Sequence, residues 1–199
     1  MEREVKIRIG SPAAMRARLI ELGWSEAAPR GLERNTVYDT AAGDLLRSGR
    51  LLRLRSVGGR QVLTVKGPVA AGEAHKLRDE FEIESPDSEA LRGILTTLGY
   101  GPVWRYEKYR TGFRREGDDG EVLLDETPIG NFIELEGAAD WIGRAAAGLG
   151  YTSGQYILKS YGALYREYAA AHPGAGPDMT FDSERRGNAL GWPNTELSS

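Results

Sequence analysis

The chain contains no cysteine in its 199 residues. That excludes disulfides, thiolate metal sites and cysteine nucleophiles, and leaves carboxylates or histidines as the available metal ligands. Histidine is scarce as well: His75 and His172 are the only two, and they show no ligand spacing. No stretch approaches the roughly 20 consecutive apolar residues of a membrane-crossing helix, so no membrane association is expected. The opening Met-Glu-Arg-Glu runs straight into a strand pattern and reads as lacking a secretory leader, which makes the expected location cytoplasmic. Charge of one sign is also missing. The 26 Lys and Arg against 29 Asp and Glu give a net −3 and a pI near 5.6, which speaks against a nucleic-acid partner. The glycines form no phosphate loop, and no Ser-His-Asp arrangement is legible.

What the chain does have is charge at a spacing of two, the side-chain period of a β-strand. Glu2, Glu4 and Lys6 open it, and Glu134 and Glu136 recur far downstream. Arg53 and Arg55, Lys66, Lys76 and Arg78, then Lys108 and Arg110 lie between them, each set interleaved with apolar residues such as Val5, Leu54, Tyr109 and Leu135. The composition, 40% hydrophobic and 28% charged, suffices for a core.

Strand patterns fall at about 2–9, 34–39, 50–57, 61–66, 75–84, 104–115, 120–126 and 131–136, with hairpin turns at Gly58-Gly59 and Asp118-Asp119-Gly120. About eight strands in hairpin succession favour an antiparallel sheet curled or closed on itself, in an α+β fold. Helices are expected from Ser11-Pro12, after Ser85-Pro86, from about Asp140, and from about Tyr156 to Ala171. Residues 1–171 read as one domain. Residues 172–199 carry little periodicity and read as a mobile or loosely docked tail.

A solvated sheet face laced with Arg–Glu pairs explains any single strand here. It explains the whole set less well, because such faces mix in Thr, Ser and Gln. Paired arginines offer planar forks for phosphate oxygens, with lysines as point charges. Glu2, Glu4, Glu134, Glu136 and Asp125 offer an oxygen-only site of the kind Mg²⁺ or Mn²⁺ prefers. A phosphate chain needs cations on one side and a carboxylate-held metal on another. Trp104, Tyr106 and Tyr109 could stack a base, although core packing is the commoner use.

In order along the chain these residues resemble the CYTH family, the triphosphate tunnel metalloenzymes that group class IV adenylyl cyclases with thiamine triphosphatases. The carriers are Glu2-x-Glu4-x-Lys6, Tyr38-Asp39-Thr40 through Leu52-Arg53-Leu54-Arg55, Leu63 to Pro68, and Lys76-Leu77-Arg78-Asp79-Glu80. Glu107-Lys108-Tyr109-Arg110, Leu124-Asp125-Glu126, Gly130 to Glu136 and Lys159-Ser160-Tyr161 complete the set.

The resemblance implies an eight-stranded antiparallel tunnel flanked by helices. Arg53, Arg55, Lys66, Lys76, Arg78, Lys108 and Arg110 would bind the triphosphate, and Lys159 would close one end. Glu2, Glu4, Glu134 and Glu136, helped by Asp125, would hold the metal, while Lys6, Arg55, Lys76 and Asp125 would act in catalysis. The implied substrate is ATP, inorganic tripolyphosphate or thiamine triphosphate, attacked by water or by a ribose hydroxyl. A homodimer is compatible with this reading, and a non-catalytic polyphosphate-binding module is the alternative from another class.

Overall fold

The computed structural model describes residues 2–70 and 75–181, with Glu2 described by its backbone only. The elements in order are β1 (Glu2–Ile9), α1 (Pro12–Glu21), β2 (Ser25–Asp39), α2 (Asp44–Arg47), β3 (Leu51–Val57), β4 (Arg60–Lys66), β5 (Lys76–Arg78) and β6 (Glu80–Ser85). They continue as α3 (Ser88–Thr97), β7 (Gly101–Arg114), β8 (Glu121–Thr127), β9 (Gly130–Glu136), α4 (Ala139–Gly148) and α5 (Tyr161–Ala171).

All nine strands join one sheet in the order β5-β1-β9-β8-β7-β2-β3-β4-β6, with every pair antiparallel. The two end strands, β5 and β6, are separated in the chain by Asp79 alone. One kinked run, 76–85, therefore pairs with β1 through its first half and with β4 through its second, and so bends the sheet into a nearly closed barrel. The count exceeds the expected eight because the 75–84 pattern divides at that kink.

Alternation then decides which residues face where. On β1, Val5 and Ile7 point outward and are 1% exposed, packed with Ile133 and Leu135 of β9 beneath Met15 and Leu19 of α1 and Ile142 of α4. On the far side of the barrel, Leu95 of α3 packs with Tyr38, Leu52 and Leu54. The apolar faces of most strands thus lie outside the barrel under helices, while Val65 of β4 and Phe81 and Ile83 of β6 stay exposed, and the charged faces are left to line the interior.

Local signals account for most boundaries. Ser11 caps α1 by accepting from the Ala14 N–H at 3.2 Å, with Pro12 in the first turn. The positive φ at Gly58 and Gly59 suits the tight β3–β4 hairpin. Strand β2 begins nine residues earlier than the expected 34, because Pro29 and two register shifts hide its alternation. Helix α3 is capped by Asp87, not by Ser85-Pro86; the Ser85 hydroxyl instead accepts from the Asp87 N–H. Helix α5 starts at Tyr161 and not near Tyr156, because Ile157 first bridges to Lys6 of β1.

Of the expected tail, residues 172–181 are described and 182–199 lie outside the described residues. Met179 in this stretch is fully buried and bridges in parallel to Tyr106 of β7. Among the described residues, no helix is long and apolar enough to cross a membrane.

Candidate active site

The register of the barrel brings together residues that the sequence scatters. Glu4 lies directly opposite Glu136 on β9 and opposite Lys76 on β5, while Lys6 lies opposite Glu134. One carboxylate oxygen from each of Glu4, Glu134 and Glu136 falls within 4.8 Å of the others, a spacing that fits a hard cation with oxygen ligands. The same three residues line a cavity of about 1070 Å³ that runs through the barrel. Arg53, Arg55, Lys66, Lys76, Arg78, Lys108 and Arg110 line it as well.

Inside, each of these seven cations, and Lys6 with them, has an acidic partner. Lys76 Nζ donates to Glu4 at 2.5 Å, Lys6 Nζ to Glu134 at 2.5 Å, and Arg110 also donates to Glu134. Lys66 pairs with Glu80 at 2.8 Å. Arg53 and Arg55 share Glu82 at 3.5 and 3.4 Å. Arg78 approaches Glu4 at 3.9 Å. The tunnel is close to neutral as it stands, so an anion entering it exchanges with resident carboxylates.

These pairings set the protonation states. Burial alone would push the Glu134 carboxyl up, but Lys6, Arg110 and Lys108 reverse that and hold it well below the usual range. Burial opposes the charge on Lys6, and Glu134 and Glu4 outweigh it, so its ammonium is held more firmly than usual. Lys76 goes the other way: burial lowers its pKa, Arg78 and Lys6 add to that, and Glu4 compensates only in part.

Two expected positions differ in placement, and the side chain of a third is outside the described residues. Asp125 is fully buried on the inward face of β8 beneath the lining cations, where it accepts from Lys108 at 2.9 Å, from Arg110 Nε and Nη2 at 2.7 Å and from the Tyr161 hydroxyl at 2.7 Å. Its oxygens are committed to orienting cations, and it stands outside the Glu4–Glu134–Glu136 cluster. Lys159 lies outside the cavity lining on the surface, paired with Glu167 at 2.6 Å, because Ser160 next to it caps α5 and turns the chain. The side chain of Glu2 lies outside the described residues.

Two residues join the site that pattern reading missed. Glu33 on β2 is buried against Arg55 at 3.3 Å and Lys108 at 3.7 Å. Burial raises its pKa, yet Lys108, Arg110 and Arg55 bring it down to about 2. The signal is present in the two-residue step from Glu33 to Asn35, but Glu33 falls one residue before the expected strand at 34. Tyr161 lies over the cation cluster, with Lys6 Nζ 4.4 Å and Lys108 Nζ 5.2 Å from its ring centre. Burial, then Asp125 and Glu134, push its hydroxyl well above the usual value, so it remains a donor.

A barrel lined by acids and bases in this way has relatives. The CYTH domain model matches residues 1–143, and the chain belongs to the CYTH family. A curated protein of Methanocaldococcus jannaschii, named "Putative adenylate cyclase", is 28% identical over 137 residues, covering 68% of this chain and 76% of its own. Among solved structures, a protein of Vibrio parahaemolyticus described in the same words superposes with a TM-score of 0.72 at 20% identity, over 83% of this chain and 97% of that one. A Hippeastrum protein described as a "putative adenylyl cyclase" with "a dominant triphophatase activity" superposes at 0.61 and 22% identity, over 84% and 96%. At these identities the two structures speak for the fold. Family membership implies a divalent metal ion and a triphosphate substrate.

Proposed function

We propose that this protein is a metal-dependent enzyme that cleaves a triphosphate held in the barrel. The observation that carries the reading is the union, in one cavity, of three convergent carboxylates with Arg53, Arg55, Lys66, Lys76, Arg78, Lys108 and Arg110. Glu4, Glu134 and Glu136 would hold Mg²⁺ or Mn²⁺, which supplies Lewis-acid neutralisation of charge at phosphate oxygens. The donor set fits such an ion, being all carboxylate oxygen.

Arg53, Arg55 and Lys66 would trade Glu80 and Glu82 for phosphate oxygens, gripping one stretch of the chain. Lys108 and Arg110, pre-aimed by Asp125 and Tyr161, would stabilise charge as it develops on the leaving group. Because Lys6 is held as a fixed positive charge, its role is to orient Glu134 and not to take a proton.

Two attackers suit the same residues. Water would make the enzyme a triphosphatase, as the Hippeastrum structure's description suggests for that protein. A ribose 3′-hydroxyl would make it a cyclase releasing pyrophosphate, in keeping with the name of the Methanocaldococcus protein.

The deciding experiment is chromatographic product analysis with Mg²⁺ and Mn²⁺ against ATP, tripolyphosphate and thiamine triphosphate. Cyclic AMP with pyrophosphate selects the cyclase, and orthophosphate without cyclic AMP selects the triphosphatase. Glu136→Ala is expected to lower metal-dependent turnover at least 100-fold, within the cost of losing one electrostatic group in such a site. Full activity in that variant would remove the metal site, and no product from any substrate would leave only a binding module.

A further inference from the structure

Two of the phenols that line the cavity commit their protons to the protein. Tyr161 donates to Asp125 at 2.7 Å, and Tyr165 donates to the carbonyls of Gly176 and Asp178. Tyr106, which lines the same cavity, does not. Its hydroxyl accepts from Arg53 Nη1 at 3.2 Å, and a guanidinium cannot accept in return. Among the described residues the Tyr106 proton therefore has no acceptor. The residue is 6% exposed, and an O–H buried with its bond unmade is unfavourable unless a ligand makes it.

Packing alone does not call for this hydroxyl. Tyr106 stacks on Trp104 with ring centres 4.8 Å apart and joins the cluster of Phe132, Tyr161, Tyr165 and Met179. A phenylalanine ring would fill that place. What the oxygen adds is a donor beside the clamp: the inward residues of β7 step from Lys108 through Tyr106 to Trp104, so the phenol stands between a cation and an indole. Arg53 meets it with one arm, while Nη2 reaches Thr64 at 3.2 Å and Glu82 at 3.5 Å.

The surroundings make this phenol a strong donor. Burial opposes its ionisation, but Arg53, Lys108 and Arg55 outweigh burial and hold its pKa below the usual value. These cations face it from β3 and β7. Glu33, one inward step along β2, is itself paired with Arg55 and Lys108. Asn35 opposite it on β2 and Phe132 of β9 carry no charge, and the Tyr161 ring of α5 stands 6.4 Å away. A cation-flanked O–H without an acceptor suits an ionised phosphate oxygen, which accepts and does not donate.

We propose, resting on the triphosphate reading above, that Tyr106 binds substrate directly. Its hydroxyl donates to a phosphate oxygen of the chain while accepting from Arg53, so that guanidinium and phenol act as one donor pair. The contact is to phosphate and not to whatever the phosphates carry.

The test measures Kd for tripolyphosphate and for ATP by calorimetry in EDTA, so that metal-dependent turnover does not enter. Tyr106→Phe keeps the ring and is expected to weaken both ligands about tenfold, as loss of one charge-assisted hydrogen bond predicts. A second measurement needs no variant: the ultraviolet absorbance of tyrosinate as pH is raised. An ionised phenol cannot donate, so tripolyphosphate favours the neutral form and is expected to move one tyrosine titration of the wild-type protein to higher pH. In Tyr106→Phe that ligand-dependent titration should be gone, which a ring held only for packing would not predict. Unchanged affinity in Tyr106→Phe, weakening of ATP alone, or tyrosine titrations that tripolyphosphate leaves in place would each overturn the assignment. Wild-type protein that binds neither ligand would overturn it together with the triphosphate reading, a result distinct from these.

Discussion

Glu33 is a carboxylate kept ionised in the interior by the same cations that the site would turn toward a phosphate. Burial works against its charge, Lys108, Arg110 and Arg55 prevail, and its pKa falls from 4.5 to about 2. A depressed folded-state pKa contributes stability that is present above the unfolded value and lost as pH falls through the folded one. The window here is pH 4.5 down to 2. In urea titrations, the stability gap between wild type and Glu33→Gln is expected to shrink by roughly 2 kcal/mol between pH 6 and pH 3. A gap that stayed constant would mean that Glu33 titrates alike in both states. The residues legible in the sequence were those repeating on one strand, such as Glu4 with Lys6 and Arg53 with Arg55, since a period of two is a one-dimensional signal. Glu33 steps by two only to an uncharged Asn35, outside the expected strand, and Tyr161 stands at the start of a helix, so neither forms a charged repeat. Lys159 was expected from the resemblance alone, and the Ser160 cap beside it starts α5 and leaves Lys159 paired with Glu167 on the surface.

At the scale of elements, alternation along each strand was readable and pairing between strands was not. Nothing local states that Glu4 faces both Glu136 and Lys76, or that 76–85 divides its two halves between β1 and β4. Register follows from the apolar outward faces seeking their helices, a property of the assembled barrel. Helix α4 shows how tight that seat is. An added Cβ at Gly120 would lie 2.5 Å from three atoms of the Trp141 ring, whereas at Gly143, within α4, nothing lies within 4 Å. Gly120→Ala is therefore expected to lower stability by about 1–3 kcal/mol through overpacking. Gly143→Ala is expected to raise it by about 0.5–1 kcal/mol through helix propensity. Thermal denaturation of both variants checks the pair, and stabilisation by Gly120→Ala would show that Trp141 is not seated on that turn.

Across the whole molecule, most hydrophobic burial lies outside the barrel wall, while the interior holds the charges and, at one end, the aromatic cluster of Tyr106, Phe132 and Tyr161, so the tunnel depends on what grips that end. The stretch after α5 is one such grip. The Glu107 N–H donates to the Met179 carbonyl at 2.8 Å and the Met179 N–H to that of Arg105 at 3.0 Å, while Asp178 accepts from the Arg105 N–H at 2.8 Å. Tyr165 of α5 donates its hydroxyl to the carbonyls of Gly176 and Asp178 at 2.7 and 2.9 Å. Met179 is thus a fully buried anchor between α5 and β7, in the cluster with Tyr106 and Tyr165. Met179→Ala is expected to cost about 2–5 kcal/mol, the usual range for emptying such a site. It should also speed hydrogen exchange at the Glu107 amide, since the strap that covers this bond loses its anchor. If stability fell by less than 1 kcal/mol and that amide kept its protection, the strap would be a passenger on β7. A full loss would make residues 174–181 part of the wall that holds Lys108 and Tyr106 in line.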